Sequence, residues 1–197
     1  MSTENRKGLL HTNPSDASET VVLIIDVINP FEFEDWQKVV GRALEIGPSV
    51  AKLKQRARQG KIPVIYVNDN FGQWRSNSER LVDYCRREGN ARDLVADLAP
   101  DQEDYFVLKP MHSGFYETPL SLLLRALGAR RLVLTGLWTN SCVLFTAHDA
   151  YMRDFELSIP EDCVAACSDE DQRYALNQMR TILKAEVGSA GSVALDR

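Results

Sequence analysis

The chain has 197 residues, a formal net charge of −5, 44% hydrophobic and 26% charged residues. That length suffices for one α/β domain with a sizeable core. The acidic balance gives no support to nucleic-acid binding, and no apolar run approaches membrane-spanning length. The N-terminus lacks an apolar secretory segment, so the expected address is cytoplasmic and the four cysteines are expected as reduced thiols.

Residues 1–19 mix Ser, Thr, Asn and Pro and read as a polar N-terminal arm, with one domain over 20–197. Val21–Asp26 is an apolar run closed by a carboxylate, the first strand. Val39–Gln59 has helical spacing, punctuated by Gly47-Pro48 and Gly60, and its Lys52, Lys54, Arg56 and Arg58 read as a wet face. Pro63–Val67 is a second strand. Ser78–Glu88 and Ala91–Leu98 read as helices, and Tyr105–Leu108 as a third strand ended by Lys109-Pro110. Pro119–Leu127 is an apolar helix closed by Gly128. Strands follow at Arg131–Leu134, Glu156–Ile159 and Ser192–Leu195. The remaining helices are Ser141–Asp154 and Asp169–Ala185, the latter capped by Ser168 or Asp169. Alternation of strand and helix predicts an α/β fold: a single-domain three-layer sandwich, with a mostly parallel five- or six-stranded sheet and helices on both faces.

Cys142 follows the run Leu132-Val133-Leu134-Thr135-Gly136 after a short polar turn. A strand, a sharp turn and a helix start place the thiol among unpaired N–H groups at the positive end of a helix dipole. That setting favours thiolate, the nucleophilic form, and the same N–H groups suit an oxyanion. A buried structural cysteine is the bland alternative. Two further strand ends carry chemistry: Asp26 after the first strand and Lys109 after the third. In open parallel sheets functional groups gather at the carboxyl ends of strands. A carboxylate, an ammonium and a thiol form one set: Lys109 is expected to lower the thiol pKa, and Asp26 to carry its proton. Each of Asp26 and Lys109 alone reads equally as part of a structural ion pair.

These residues resemble the motifs of the isochorismatase-like cysteine hydrolase family. Asp26 with Asn29-Pro30-Phe31 is similar to its first motif. Lys109 with Ser113-Gly114-Phe115 and Thr118-Pro119-Leu120 is similar to the second, and Gly136-x-x-Thr139-x-x-Cys142-Val143 to the third. The resemblance covers about Thr20 to Val193. It implies a cis peptide at Leu137–Trp138, an oxyanion hole from the N–H groups of Trp138 and Cys142, and a homodimer or homotetramer whose subunits help complete the pocket.

The loop Asn68-Asp69-Asn70-Phe71-Gly72-Gln73-Trp74-Arg75 lacks the Asp-x-His pair that holds a metal in the nicotinamidase branch. The three histidines, His11, His112 and His148, assemble no ligand set, so no metal and no cofactor are expected. Asn70, Trp74 and Arg75 suit a small polar or carboxylate-bearing substrate, and equally a lid against a partner subunit. Phe31 is expected to wall the pocket, Phe33 to pack in the core, and Phe115 and Tyr116 to line the mouth. Trp138 is expected to cap the substrate. His112, three residues past Lys109, reads as a proton donor or substrate contact, or more plainly as a satisfied histidine.

The implied chemistry is hydrolysis of a C–N bond in a small amide or ureido compound through a thioester. Asp26 serves as base, Lys109 holds the thiolate, and Asp26 again activates water. Two other functions fit parts of the pattern. One is vinyl-ether hydrolysis with Asp26 as acid; the other is an idle binding or scaffold member. No nucleic-acid or membrane partner is expected.

Overall fold

In the structure, a computed structural model, residues 16–72, 75 and 77–197 are described. The central strand β1 (Thr20–Ile25) is buried along its whole length. Successive side chains of a strand point to opposite faces, so a run of apolar residues needs cover on both. Val21, Leu23 and Ile25 pack into one cluster, Val22 and Ile24 into the other.

β2 (Val64–Asp69) and β4 (Arg131–Leu137) pair with β1 on either side. β3 (Tyr105–Lys109) pairs with β2, and β5 (Glu156–Pro160) with β4. β6 (Val164–Ala165) pairs with the end of β4, and β7 (Glu186–Gly188) with β5. The sheet has seven strands in the order β3-β2-β1-β4-β5-β7, with β6 beside β4, and these ladders are parallel. The expected α/β sandwich with a mostly parallel sheet holds: among the described residues six strands lie on the main path and the short β6 adds a seventh. β6 has two residues and β7 three, too short for any alternating pattern. Ser192–Leu195 is not a strand. The edge of β5 is taken by Glu186–Gly188, and Ala190–Ser192 forms a 3₁₀ turn.

One face carries α1 (Gln37–Gln59), α2 (Ser78–Arg87) and α3 (Arg92–Asp97). The other carries α4 (Leu120–Leu127), α5 (Leu144–Tyr151) and α6 (Asp169–Thr181). α1 continues through Pro48, because Ile46, Val50 and Leu53 keep one buried stripe across it. Side-chain caps open two of the others: Asn77 Oδ1 accepts from Arg80 N–H at α2, and Ser168 Oγ from Asp171 N–H at α6. No helix among the described residues is long and apolar enough to cross a membrane.

Lys54 departs from the expected wet face of α1. It is buried, with Nζ 2.6 Å from Asp104 Oδ2 and donating to Tyr66 Oη at 2.7 Å and to the Ala99 carbonyl at 3.0 Å. Arg56 is also engaged, donating to the carbonyls of Ala190 and Val193. Charges two residues apart on a helix point to opposite sides and reach different surroundings, which composition alone does not reveal.

Candidate active site

The strand order reverses direction between β1 and β4. From β1 the sheet grows through β2 to β3; from β4 it grows through β5 to β7. Such a switch point opens a crevice beyond the strand ends, because the following connections leave to opposite sides. Asp26 immediately follows β1, Asp69 ends β2, Lys109 ends β3, and Cys142 follows β4. Register brings them level: Asp69 is paired with Lys109, and Ile25 with both Val67 and Gly136.

Asp26 adopts φ 52°, a left-handed conformation uncommon outside glycine. Its backbone N–H donates to the Val67 carbonyl at 3.1 Å, and Oδ1 accepts the Asp69 N–H at 2.7 Å. Oδ2 is 2.9 Å from Lys109 Nζ. That ammonium is fully buried. It also donates to the Met111 carbonyl at 3.1 Å and lies 3.5 Å from both Asp69 Oδ2 and Cys142 Sγ. The Asp26 carboxylate is near enough to the Cys142 thiol to act on its ionisation.

Cys142 sits within a π-helical turn, Thr139–Val143, that leads into α5. The Trp138 carbonyl accepts the N–H groups of Ser141 and Val143, at 2.9 and 3.2 Å. Thr139 Oγ1 donates to Gln172 Oε1 at 2.7 Å, while Gln172 Nε2 donates to the Val164 carbonyl at 3.0 Å. One α6 side chain thereby ties the turn to β6. The Leu137–Trp138 peptide is cis.

Electrostatics correct one expectation. Burial, and then Asp26, push the Cys142 thiol up to about 12, against the pull of Lys109. The resting group is therefore a neutral thiol. A turn inside the core desolvates the sulfur more than its helix end and ammonium compensate. Burial also raises the Asp26 carboxyl, although Lys109 opposes this. The Lys109 ammonium loses by burial but is raised overall by Asp26, Cys142 and Asp69.

The remaining expected residues divide. Phe31 is fully buried, edge-on to Trp138 at 6.1 Å between centroids, and belongs to the core under the crevice floor. Phe33 is instead 43% exposed, the reverse of its expected core role. The two rings stay in contact, 6.0 Å between centroids, and differ in depth: Phe33 lies on the solvent side of the buried Phe31. Phe115 packs against Phe155 and beneath the Arg153 guanidinium in the opposite core, so it does not line a mouth. Asn70 lies beside Lys109, its N–H donating to the Lys109 carbonyl at 3.2 Å, with its side-chain oxygen closing a turn at Gly72. Arg75 is exposed and its carbonyl accepts from Arg80. Trp74 and the arm's residues 1–15, His11 included, lie outside the described residues.

Two further groups reach the site. Asp69 contacts both Asp26 and Lys109, and its signal was its place as the last residue of a strand. His112 brings Nδ1 to 3.8 Å from Cys142 Sγ and stacks on Phe145. Among the described residues no group of three or more His, Cys, Asp or Glu side chains is arranged to hold a metal ion.

A buried carboxylate, ammonium and thiol thus meet at the switch point of a parallel sheet. A family model described as an isochorismatase domain matches residues 20–191, and the chain belongs to the isochorismatase-like cysteine hydrolase family. It is 42% identical over 170 residues to the uncharacterized isochorismatase family protein YaaI of Bacillus subtilis (strain 168), covering 86% of this chain and 93% of that protein. It is 30% identical over 166 residues to a ureidoacrylate amidohydrolase, RutB, of Methylorubrum extorquens, covering 71% of this chain and 67% of that one. The solved N-carbamoylsarcosine amidase from Thermoplasma acidophilum superposes with a TM-score of 0.70 at 26% identity, covering 89% of this chain and 99% of that chain.

Proposed function

We propose that this enzyme hydrolyses a C–N bond of a small amide or ureido compound through a thioester on Cys142. The observation that carries the reading is one buried ammonium shared by a carboxylate and a thiol: Lys109 Nζ lies 2.9 Å from Asp26 Oδ2 and 3.5 Å from Cys142 Sγ. The names of two similar proteins, a ureidoacrylate amidohydrolase and an N-carbamoylsarcosine amidase, support the substrate class.

Because the resting sulfur is protonated, attack and proton removal are coupled. Asp26 takes the thiol proton as sulfur bonds the carbonyl carbon, and its raised pKa makes it a stronger base than a solvated carboxylate. Lys109 stabilises the developing negative charge on sulfur. The N–H groups of Trp138 and Cys142 are assigned to the oxyanion. Asp26 then returns its proton to the leaving nitrogen, the C–N bond breaks, and water cleaves the thioester. No metal or cofactor enters these steps. The reading includes self-association as a dimer or tetramer; Met111, Tyr116 and Phe145 are exposed apolar groups on the segments that flank the thiol.

A second reading, vinyl-ether hydrolysis, is favoured by one observation, the upward shift of Asp26, which suits a carboxylic acid that protonates an alkene. Two variants separate them on a panel of amides, ureides and vinyl ethers. Cys142→Ala is expected to abolish amide turnover. A Cys142→Ala enzyme that stays active while Asp26→Asn is dead overturns the thioester in favour of the vinyl ether.

A further inference from the structure

The Cys142 sulfur has different neighbours on its two sides. Behind it lie Asp26 and Lys109, both buried. On the solvent side stands His112, exposed, with Nδ1 3.8 Å from Sγ. Its ring is not loose: it stacks on Phe145, 5.4 Å between centroids and 27° between planes. The loop that carries it is tied to the nucleophile's own turn. Gly114 N–H donates to Thr146 Oγ1 at 3.0 Å, and Thr146 Oγ1 donates to the Cys142 carbonyl at 2.6 Å. On one side of His112 the Met111 carbonyl accepts from Lys109 Nζ, and on the other Ser113 Oγ donates to Asp149 Oδ2 at 2.5 Å. The titratable groups facing this ring are thus Cys142, with Lys109 and Asp26 behind it. On α5, Asp149 is engaged by Ser113 and Arg153, and His148 is the other imidazole.

Asp26 is well placed for the thiol proton and poorly placed for water. One carboxylate oxygen accepts the Asp69 N–H, the other faces Lys109 Nζ, and the residue is buried. Water reaches a thioester from the open side, where His112 stands. A general base must lie within hydrogen-bond reach of the proton it removes.

We propose that His112 is a catalytic residue of the second half-reaction, the base that activates the hydrolytic water; this rests on the thioester reading above. An unprotonated ring nitrogen takes one proton from water as the water oxygen bonds the acyl carbon. The C–S bond breaks, sulfur leaves with the electron pair, and the imidazolium returns its proton to it. The products are the free acid and the resting thiol. Asp26 serves acylation and His112 serves deacylation.

The test uses p-nitrophenyl acetate with the full-length enzyme. Wild type is expected to give a burst of one nitrophenolate per active site, then steady turnover, and Cys142→Ala neither. His112→Gln and His112→Phe are expected to keep the burst and lose about 100-fold of the steady rate, with an acetyl adduct on Cys142 in the intact mass. In His112→Ala, free imidazole is expected to restore turnover, which a merely structural role would not allow. A steady rate unchanged in both variants overturns the assignment. Loss of burst and steady rate together also overturns it, by moving His112 into acylation. Equal nitrophenolate release by wild type and Cys142→Ala overturns the thioester reading itself, and the role of His112 with it.

Discussion

Gly136 and Ile25 approach so closely that a β-carbon on Gly136 would stand 2.0 Å from the Ile25 carbonyl oxygen. Gly136 also has φ 104°. The end of β4, which leads to Cys142, is thereby pressed against the end of β1, which leads to Asp26. Gly136→Ala must move one strand end or the other, at a cost of about 3 kcal/mol or more. The expected outcome is a large loss in urea midpoint. In any folded fraction, turnover falls further than stability accounts for, because carboxylate and thiol separate.

The thiol and the carboxylate oppose each other's ionisation. Asp26 raises the Cys142 pKa and Lys109 lowers it. Removing the carboxylate charge with Asp26→Asn is therefore expected to speed alkylation of Cys142 by iodoacetamide near neutral pH while abolishing turnover. Lys109→Met is expected to slow both. In wild type the alkylation rate should climb with pH without levelling near neutrality, since burial and Asp26 hold the thiol well above its ordinary value. A plateau below pH 8, read by mass spectrometry cysteine by cysteine, contradicts this account.

Alkaline stability follows from two other thiols. Burial moves Cys85 and Cys163 from an ordinary 9.0 up to about 12. Above pH 9 the unfolded chain sheds these protons and the native state keeps them, so the native state binds more protons and stability falls as pH rises. The slope is about 1.4 kcal/mol per pH unit for each thiol. The effect is absent below pH 9 and complete once pH passes the native values. Cys163→Ala is expected to remove one thiol's share of the slope between pH 9 and 11, measured by urea titration.

Asp104 holds the counter-charge of Lys54 at 2.6 Å, and both side chains are buried. Burial, and then the Arg58 charge, lower the Lys54 pKa, and Asp104 offsets part of this. Asp104→Ala leaves an ammonium with only Tyr66 and a carbonyl, costing about 3–5 kcal/mol. Replacing Lys54 and Asp104 together by Met and Leu is expected to recover most of that loss. If the single variant melts like wild type, the pair contributes nothing.

Much of this architecture was readable in one dimension, because burial on two faces demands apolar strands and the alternation with helices demands a parallel sheet. β1, β2, β3, β4 and β5 fell near their expected places. β6 and β7 did not, since a two- or three-residue strand is defined by its partner and not by its own pattern. Lys54 shows the same limit: its neighbours on α1 look alike in sequence, but only it is buried against Asp104.

Asp26, Lys109 and Cys142 stood out by themselves, because each is a chemically able group set at the end of an apolar strand run. The sequence by itself thus determined the fold class, the family and the inventory of reactive groups. Tertiary structure decided the rest. It exchanged the environments of Phe31 and Phe33, sent Phe115 to the opposite core, and brought Asp69 and His112 to the reactive groups. It also reversed the expected state of the thiol. Desolvation depends on everything packed around a sulfur, whereas sequence shows only its chain neighbours.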